Sequence, residues 1–164
     1  MHYGDALDWY SDAALTADAL ACGTPYTREQ TAGVLAVLSP RVSWKVNKRL
    51  AYKVVAAHLD GVPVSELTGG LRSGLERAYR VLDGDLDAIS GPKVTAFWRA
   101  ILGDKDALTL DVWAFRAAIG RDYVGAGPVR RDVVESYRNG ARIAGESVRD
   151  FQAIVWVAVR GSAL

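Results

Sequence analysis

The sequence predicts an all-α fold, and three features carry that expectation. Helix-start signals recur, the clearest being Thr27-Arg28-Glu29-Gln30, which has the spacing of a capping box. After Gly91-Pro92, the residues Val94, Phe97, Trp98 and Ile101 repeat at helical spacing and define one buried stripe. Stop signals close the segments in turn: Gly23, Asp60-Gly61, Asp83-Gly84, Gly103 and Gly120.

The elements follow in order. A first helix is expected from about Asp5 to Ala21, rich in Ala, Leu and Asp, with Gly23 as its stop. The capping box opens a second, with Val34, Leu35 and Leu38 on one side, ending near Ser39-Pro40. A third runs from about Ser43 to Leu59, with Val46, Leu50 and Val54 as its apolar side. Residues 63–70 read as a connector and Leu71 to Leu82 as a fourth helix. Pro92 fits a first helical turn, because its missing N–H has no partner there in any case. The next helix opens at Thr109 or Asp111 and runs to Gly120. Residues 121–128, with Gly125 and Gly127, are a loop, and Val129 to Ala144 a further helix. Ser147 to Asp150 resembles a second capping box. The apolar run Ala153 to Val159 suits a buried helix or a strand by periodicity alone, and the cap and helical context favour helix.

Length and composition bound the function. The chain has 164 residues, enough for one domain with its own core. Half the residues are hydrophobic (50%) and a quarter charged (24%), an ordinary globular balance. No apolar run approaches the roughly 20 residues of a membrane span. Met1 to Tyr10 carries Asp5 and Asp8 and lacks a signal-peptide pattern, so a cytoplasmic protein is expected. The single cysteine, Cys22, excludes a disulfide framework and a cysteine-ligated zinc or iron–sulfur site within one chain. With only His2 and His58 beside it, no metal and no cofactor is expected. The net charge of +1 means that any nucleic-acid binding must rest on a local patch.

Three features bear on chemistry, each with a plainer structural reading beside it. Ser90-Gly91-Pro92-Lys93 feeds a helix N-terminus whose amides suit an anion such as phosphate; the plain reading is a helix start with a surface lysine. Asp111 heads the next helix and by itself reads as its N-cap. Arg41, Lys45, Lys48, Arg49 and Lys53 form a cationic arc with no acidic residue among them; it suits a phosphate backbone or a solvated face.

Taken together, these residues resemble the helix-hairpin-helix DNA glycosylases of the endonuclease III type. In that family a glycine-bearing hairpin leads into a helix with a catalytic lysine, and an aspartate follows 18 residues later. Here Gly91-Pro92-Lys93 matches the second half of the hairpin and Asp111 lies 18 residues beyond Lys93. Arg116 stands where the family often has an arginine, and Leu38-Ser39 and Val46-Asn47-Lys48 are similar to its segment after an early core helix. The likeness covers about Thr27 to Ala118. Three departures stand out: Ile89 replaces the first hairpin glycine, Arg41 lies near the usual base-gap glutamine, and the iron–sulfur cysteines of some relatives are missing. The blocks Ser90–Val94, Ala107–Trp113 and Gln152–Trp156 are also similar to phage amino acid:DNA transferases of thymine hypermodification.

The resemblance implies an enzyme that draws a base out of the stack into a pocket. Lys93 would attack the sugar C1′, for which its amine must be neutral, and Asp111 would take a proton or stabilise positive charge on the sugar. Arg41 would brace the vacated space. Trp44, Lys45, Asn47, Lys48, Arg49, Ser90 and Gly91 would hold DNA, largely by its phosphates. Trp44, Trp98, Trp113, Tyr52 and Tyr123 are candidate stacking rings, with Trp98 the likeliest core residue and Trp44 favoured by its place beside Arg41. In the transferase reading Lys93 and Asp111 would orient or deprotonate an amino-acid co-substrate. A third reading is a non-enzymatic DNA-binding module, which needs neither residue at that spacing.

Overall fold

The computed structural model describes residues 3–123, 125 and 127–160, and among these it contains helices and no strand. The helices are α1 (Tyr3–Ala21), α2 (Arg28–Leu38), α3 (Trp44–Leu59), α4 (Arg72–Leu82), α5 (Pro92–Ile101), α6 (Val112–Ile119), α7 (Pro128–Ala144) and α8 (Val148–Arg160). Short 3-10 turns at Val64–Glu66 and Leu86–Ala88 lie in the connections, the first inside the expected plain connector. The all-α expectation holds, and the final apolar run is a helix. Of the expected glycine-rich loop 121–128, Val124 and Ala126 lie outside the described residues.

Helix α2 is the axis of the packing. Every residue from Thr31 to Leu38 is buried, so the helix is enclosed on all sides. Helices α1, α3, α4 and α5 pack around it. Its capping box forms as the sequence predicts: Thr27 accepts from the Gln30 amide, and Gln30 Oε1 accepts from the Thr27 amide. Gln30 also donates through Nε2 to the carbonyls of Val81 and Leu82, so one side chain satisfies the start of α2 and the end of α4. Thr31, fully buried, donates to Ala17 O at 2.8 Å and ties α1 to α2.

The turn before α5 packs closely on α2. Ile89 has φ −81°, so it needs no glycine. Its side chain lies against Gly33 of α2, where a built Cβ would meet Ile89 Cδ1 at 2.5 Å and Val81 Cγ1 at 3.0 Å. Gly33 leaves a slot in α2, and the Ile89 side chain fills it. Gly91, two residues on, keeps the positive φ of +94° that the turn requires.

Two apolar clusters result. The larger joins α1 to α5 with Ala153 and Val157 of α8; the smaller joins Leu110, Phe115, Val133 and Tyr137, with Phe151 and Val155 against it. Helix α8 therefore faces both. Its Phe151 ring rests on Gly140 of α7, 2.5 Å from where a Cβ would lie. No helix among the described residues is long and apolar enough to cross a membrane.

Candidate functional site

A cavity of about 140 Å³ opens at the larger cluster, where Tyr10, Phe97, Ala153 and Val157 belong to it, and five parts of the chain wall it. Helix α1 supplies Trp9 and Tyr10. The segment entering α3 supplies Ser39, Val42 and Ser43, and the helix itself Trp44 and Asn47. Helix α5 supplies Lys93 and Phe97. Thr109 and Asp111 come from the approach to α6, and Gln152, Ala153, Trp156 and Val157 from α8. Lys93 and Asp111 thus line one cavity, as their spacing implied.

Trp9 centres the aromatic wall. Its ring lies stacked against Phe97 (5.3 Å between centroids), edge-on to Tyr10 (4.7 Å), and beside Trp44 (5.6 Å) and Trp156 (6.1 Å). Trp44 is fixed by Asp12, one turn along α1: its indole Nε1 donates to Asp12 Oδ2 at 2.6 Å, and Lys48 Nζ donates to the same oxygen at 2.9 Å. Burial pushes the Asp12 carboxyl up, but the bonds from Lys48 and Trp44 and the lysine charge outweigh it, leaving the group below its ordinary value. Tyr10 donates to Gln152 Oε1 at 3.0 Å, and burial pushes its phenol up to about 12. Gln152 therefore ties α8 to α1 through a side-chain bond.

Lys93 lies in the first turn of α5, half-buried, and among the described residues it has no hydrogen bond or ion pair. The turn that delivers it is held by Arg77 of α4, which donates to Ala88 O and Ser90 O, both at 2.7 Å, and to Ser90 Oγ at 3.3 Å. Asp111 does cap its helix: Oδ1 accepts from the Ala114 amide at 2.9 Å. Its other oxygen accepts from Trp156 Nε1 at 3.3 Å, so the cap and the cavity share one carboxylate. A carboxylate has about four acceptor sites, so two bonds leave capacity for a substrate.

Three buried side-chain atoms lack a hydrogen-bond partner among the described residues: Trp9 Nε1, Asn47 Oδ1 and Thr109 Oγ1. All three residues line this cavity. Buried polar atoms are nearly always paired, so these atoms leave the cavity wall with hydrogen-bonding capacity for water or a bound group.

The cationic arc divides. Arg41, Lys45 and Arg49 are exposed and, among the described residues, unpaired. Arg41, between Pro40 and the cavity-lining Val42, is the one non-glycine described residue with a left-handed backbone, at φ +63°. Such strain costs about 1–3 kcal/mol and collects at functional sites. Lys48 is taken by Asp12 and also lies 5.5 Å from the Trp44 ring; Lys53 donates to Thr68. Asn47 corrects the surface expectation: it is 2% exposed, and its Nδ2 donates to Leu35 O at 3.0 Å. Val46, expected inside, is exposed instead, because Asn47 shares the face of Leu50, Ala51 and Val54. Of the candidate rings, Trp44 alone reaches the cavity. Trp98 donates to Glu29 O, Trp113 carries Arg116 over its face, Tyr123 packs on Phe115, and Tyr52 is exposed. Sequence reasoning missed Trp9, Tyr10, Asp12, Phe97 and Thr109 as parts of the site.

Residues 3–163 match the model of a family described as a family of unknown function (DUF7178). No curated protein and no solved structure matches the chain.

Proposed function

The chain belongs to that family of unknown function, and from its cavity we propose that it is a DNA base-processing enzyme of the glycosylase type. One observation carries the reading: Lys93, unpaired, and Asp111, anchored as a helix cap, come from different elements and line one ring-walled cavity. A cavity of about 150 Å³ lined by apolar residues accepts benzene, so the space here, about 140 Å³, suits one heterocyclic ring and not a whole nucleotide. The enclosing Trp9, Trp44, Phe97 and Trp156 offer stacking faces, each worth roughly 1–3 kcal/mol to a base. Arg41 at the rim would brace the gap in the stack, and Lys45 and Arg49 would hold phosphates.

In this reaction the lone pair of the Lys93 nitrogen forms a bond to C1′ while the N-glycosidic bond breaks, its electron pair leaving with the base, which takes a proton from water. Asp111 accepts the proton shed by the lysine nitrogen. It returns that proton to O4′ as the C1′–O4′ bond breaks and the nitrogen lone pair forms the C=N bond, which leaves a Schiff base on Lys93. The reaction would run in the cytoplasm, of a bacterium or a phage-infected host. Borohydride added during turnover on DNA carrying modified or abasic sites should trap a covalent protein–DNA adduct. Lys93→Ala should abolish the adduct, and Asp111→Asn should slow its formation by about 10²–10⁴-fold, the range for a lost general base. Wild-type protein that yields neither adduct nor released base on any such DNA refutes the reading.

A second reading rests on the same unpaired charges. A cation and a carboxylate in one small cavity also suit the two ends of an amino-acid co-substrate, joined to a base substituent by transfer. Incorporation of labelled glycine into modified phage-type DNA, without base release, would select it.

A further inference from the structure

The arginines of this chain differ in what they bond. Arg28 pairs with Asp18, Arg72 with Glu76, Arg80 with Asp85, Arg99 with Asp104, Arg116 with Asp122 and Arg149 with Asp150. Arg77 spends its donors on Ala88 and Ser90. Helix α7 departs from that pattern. Arg131, Arg138 and Arg142 are exposed and, among the described residues, their side chains make no ion pair or hydrogen bond. They lie seven and four residues apart, a spacing that stacks them along one stripe of the helix. Val133, Tyr137 and Ala141 are the buried residues of α7 and occupy a different face. At 1.5 Å per residue the stripe is about 16 Å long.

Acidic neighbours do not consume it. Glu135 stands on the same stripe, one turn from Arg131 and from Arg138, and pairs with neither. Asp132 is likewise without an ion pair among the described residues. Arg130 adds a fourth guanidinium, so α7 carries four arginines against two carboxylates and a net positive charge. The helix packs on α6 and α8, the elements whose Asp111 and Trp156 form one wall of the cavity. Arg41, Lys45 and Arg49, likewise unpaired among the described residues, lie on α3 and the segment entering it. Free guanidinium groups, rigid forks of five donors, suit phosphate oxygens better than they suit water-exposed carboxylates.

We propose that the α7 stripe is a second nucleic-acid backbone contact, holding phosphates on the α6–α8 side of the cavity while Arg41, Lys45 and Arg49 hold them on the α3 side. The inference rests on the DNA reading above and adds to it a surface on a separate element. Contacts of this kind read no base, so the effect is independent of sequence.

The test compares full-length Arg131→Gln/Arg138→Gln/Arg142→Gln with wild type and with Arg72→Gln/Arg80→Gln, which removes paired arginines of α4. Binding to a short labelled DNA duplex is measured across a salt series, with thermal melting as the check on folding. The α7 variant should melt like wild type, bind about tenfold or more weakly at low salt, and lose about one unit of salt slope per phosphate contact removed. The α4 variant should keep the wild-type slope. Wild-type binding with an unchanged slope in the α7 variant overturns this inference and leaves the enzyme reading standing. Wild-type protein that binds no DNA overturns both. Binding of phosphatidylserine vesicles, lost in the α7 variant while DNA affinity is kept, would assign the stripe to an anionic membrane surface and overturn the proposal.

Discussion

At the scale of single residues, Asp12 shows how a site is set by a group that touches no substrate. Its carboxylate gathers the Trp44 indole and the Lys48 ammonium, so it fixes one wall of the cavity and withdraws Lys48 from the surface cations. Its carboxyl is held below the ordinary Asp value, near 3.9 in unfolded chains. The sign of the linkage follows: the folded state holds this proton less tightly than the unfolded chain does. The stabilisation is therefore present above the unfolded value and is lost as pH falls through the lower folded one. Thermal melting below about pH 4 should accordingly decline less steeply in Asp12→Asn than in wild type. Equal slopes would show that the pair adds nothing to stability. Asp12 was not legible beforehand, because an acidic residue on an Ala- and Leu-rich helix looks like solvated surface until its partner 32 residues away is known. Asn47, expected among the residues that hold DNA, is buried in the cavity wall, and its helical spacing with Leu50, Ala51 and Val54 was the signal for that burial.

At the scale of elements, local signals identified the helices and tertiary packing adjusted them. The Thr27 box, Pro92 in a first turn and Asp111 as a cap are encoded within four residues of where they act, and each forms. The α2–turn contact is encoded across 56 residues, in Gly33 and Ile89 jointly, and a single sequence gives no way to pair them. A methyl group on Gly33 would collide with Ile89 and Val81. Gly33→Ala should thus destabilise the fold by about 1–3 kcal/mol, the usual cost of overpacking. Adding Ile89→Ala should cost less in the Gly33→Ala background than in wild type, since the second truncation relieves the first clash. Denaturant titrations of the four proteins measure this. Additive losses would mean that the slot is not shared.

At the scale of the whole molecule, the all-α architecture was readable from period and punctuation, whereas the cavity was not. It arises only where α1, α3, α5, the approach to α6, and α8 converge. The pair Lys93 and Asp111 could be named from spacing, yet the rings around them come from helices far apart in the chain. Nothing local marks Trp9 as their hub. That hub has a practical consequence. Three of the five tryptophans of the chain, Trp9, Trp44 and Trp156, are gathered at the one cavity. Ultraviolet emission from the unlabelled protein should therefore quench or shift when a ring enters, and Trp9→Phe should remove most of that response while Trp113→Phe leaves it intact. The protein comes with its own optical probe, so small heterocycles and amino acids can be screened for occupancy before any reaction is known.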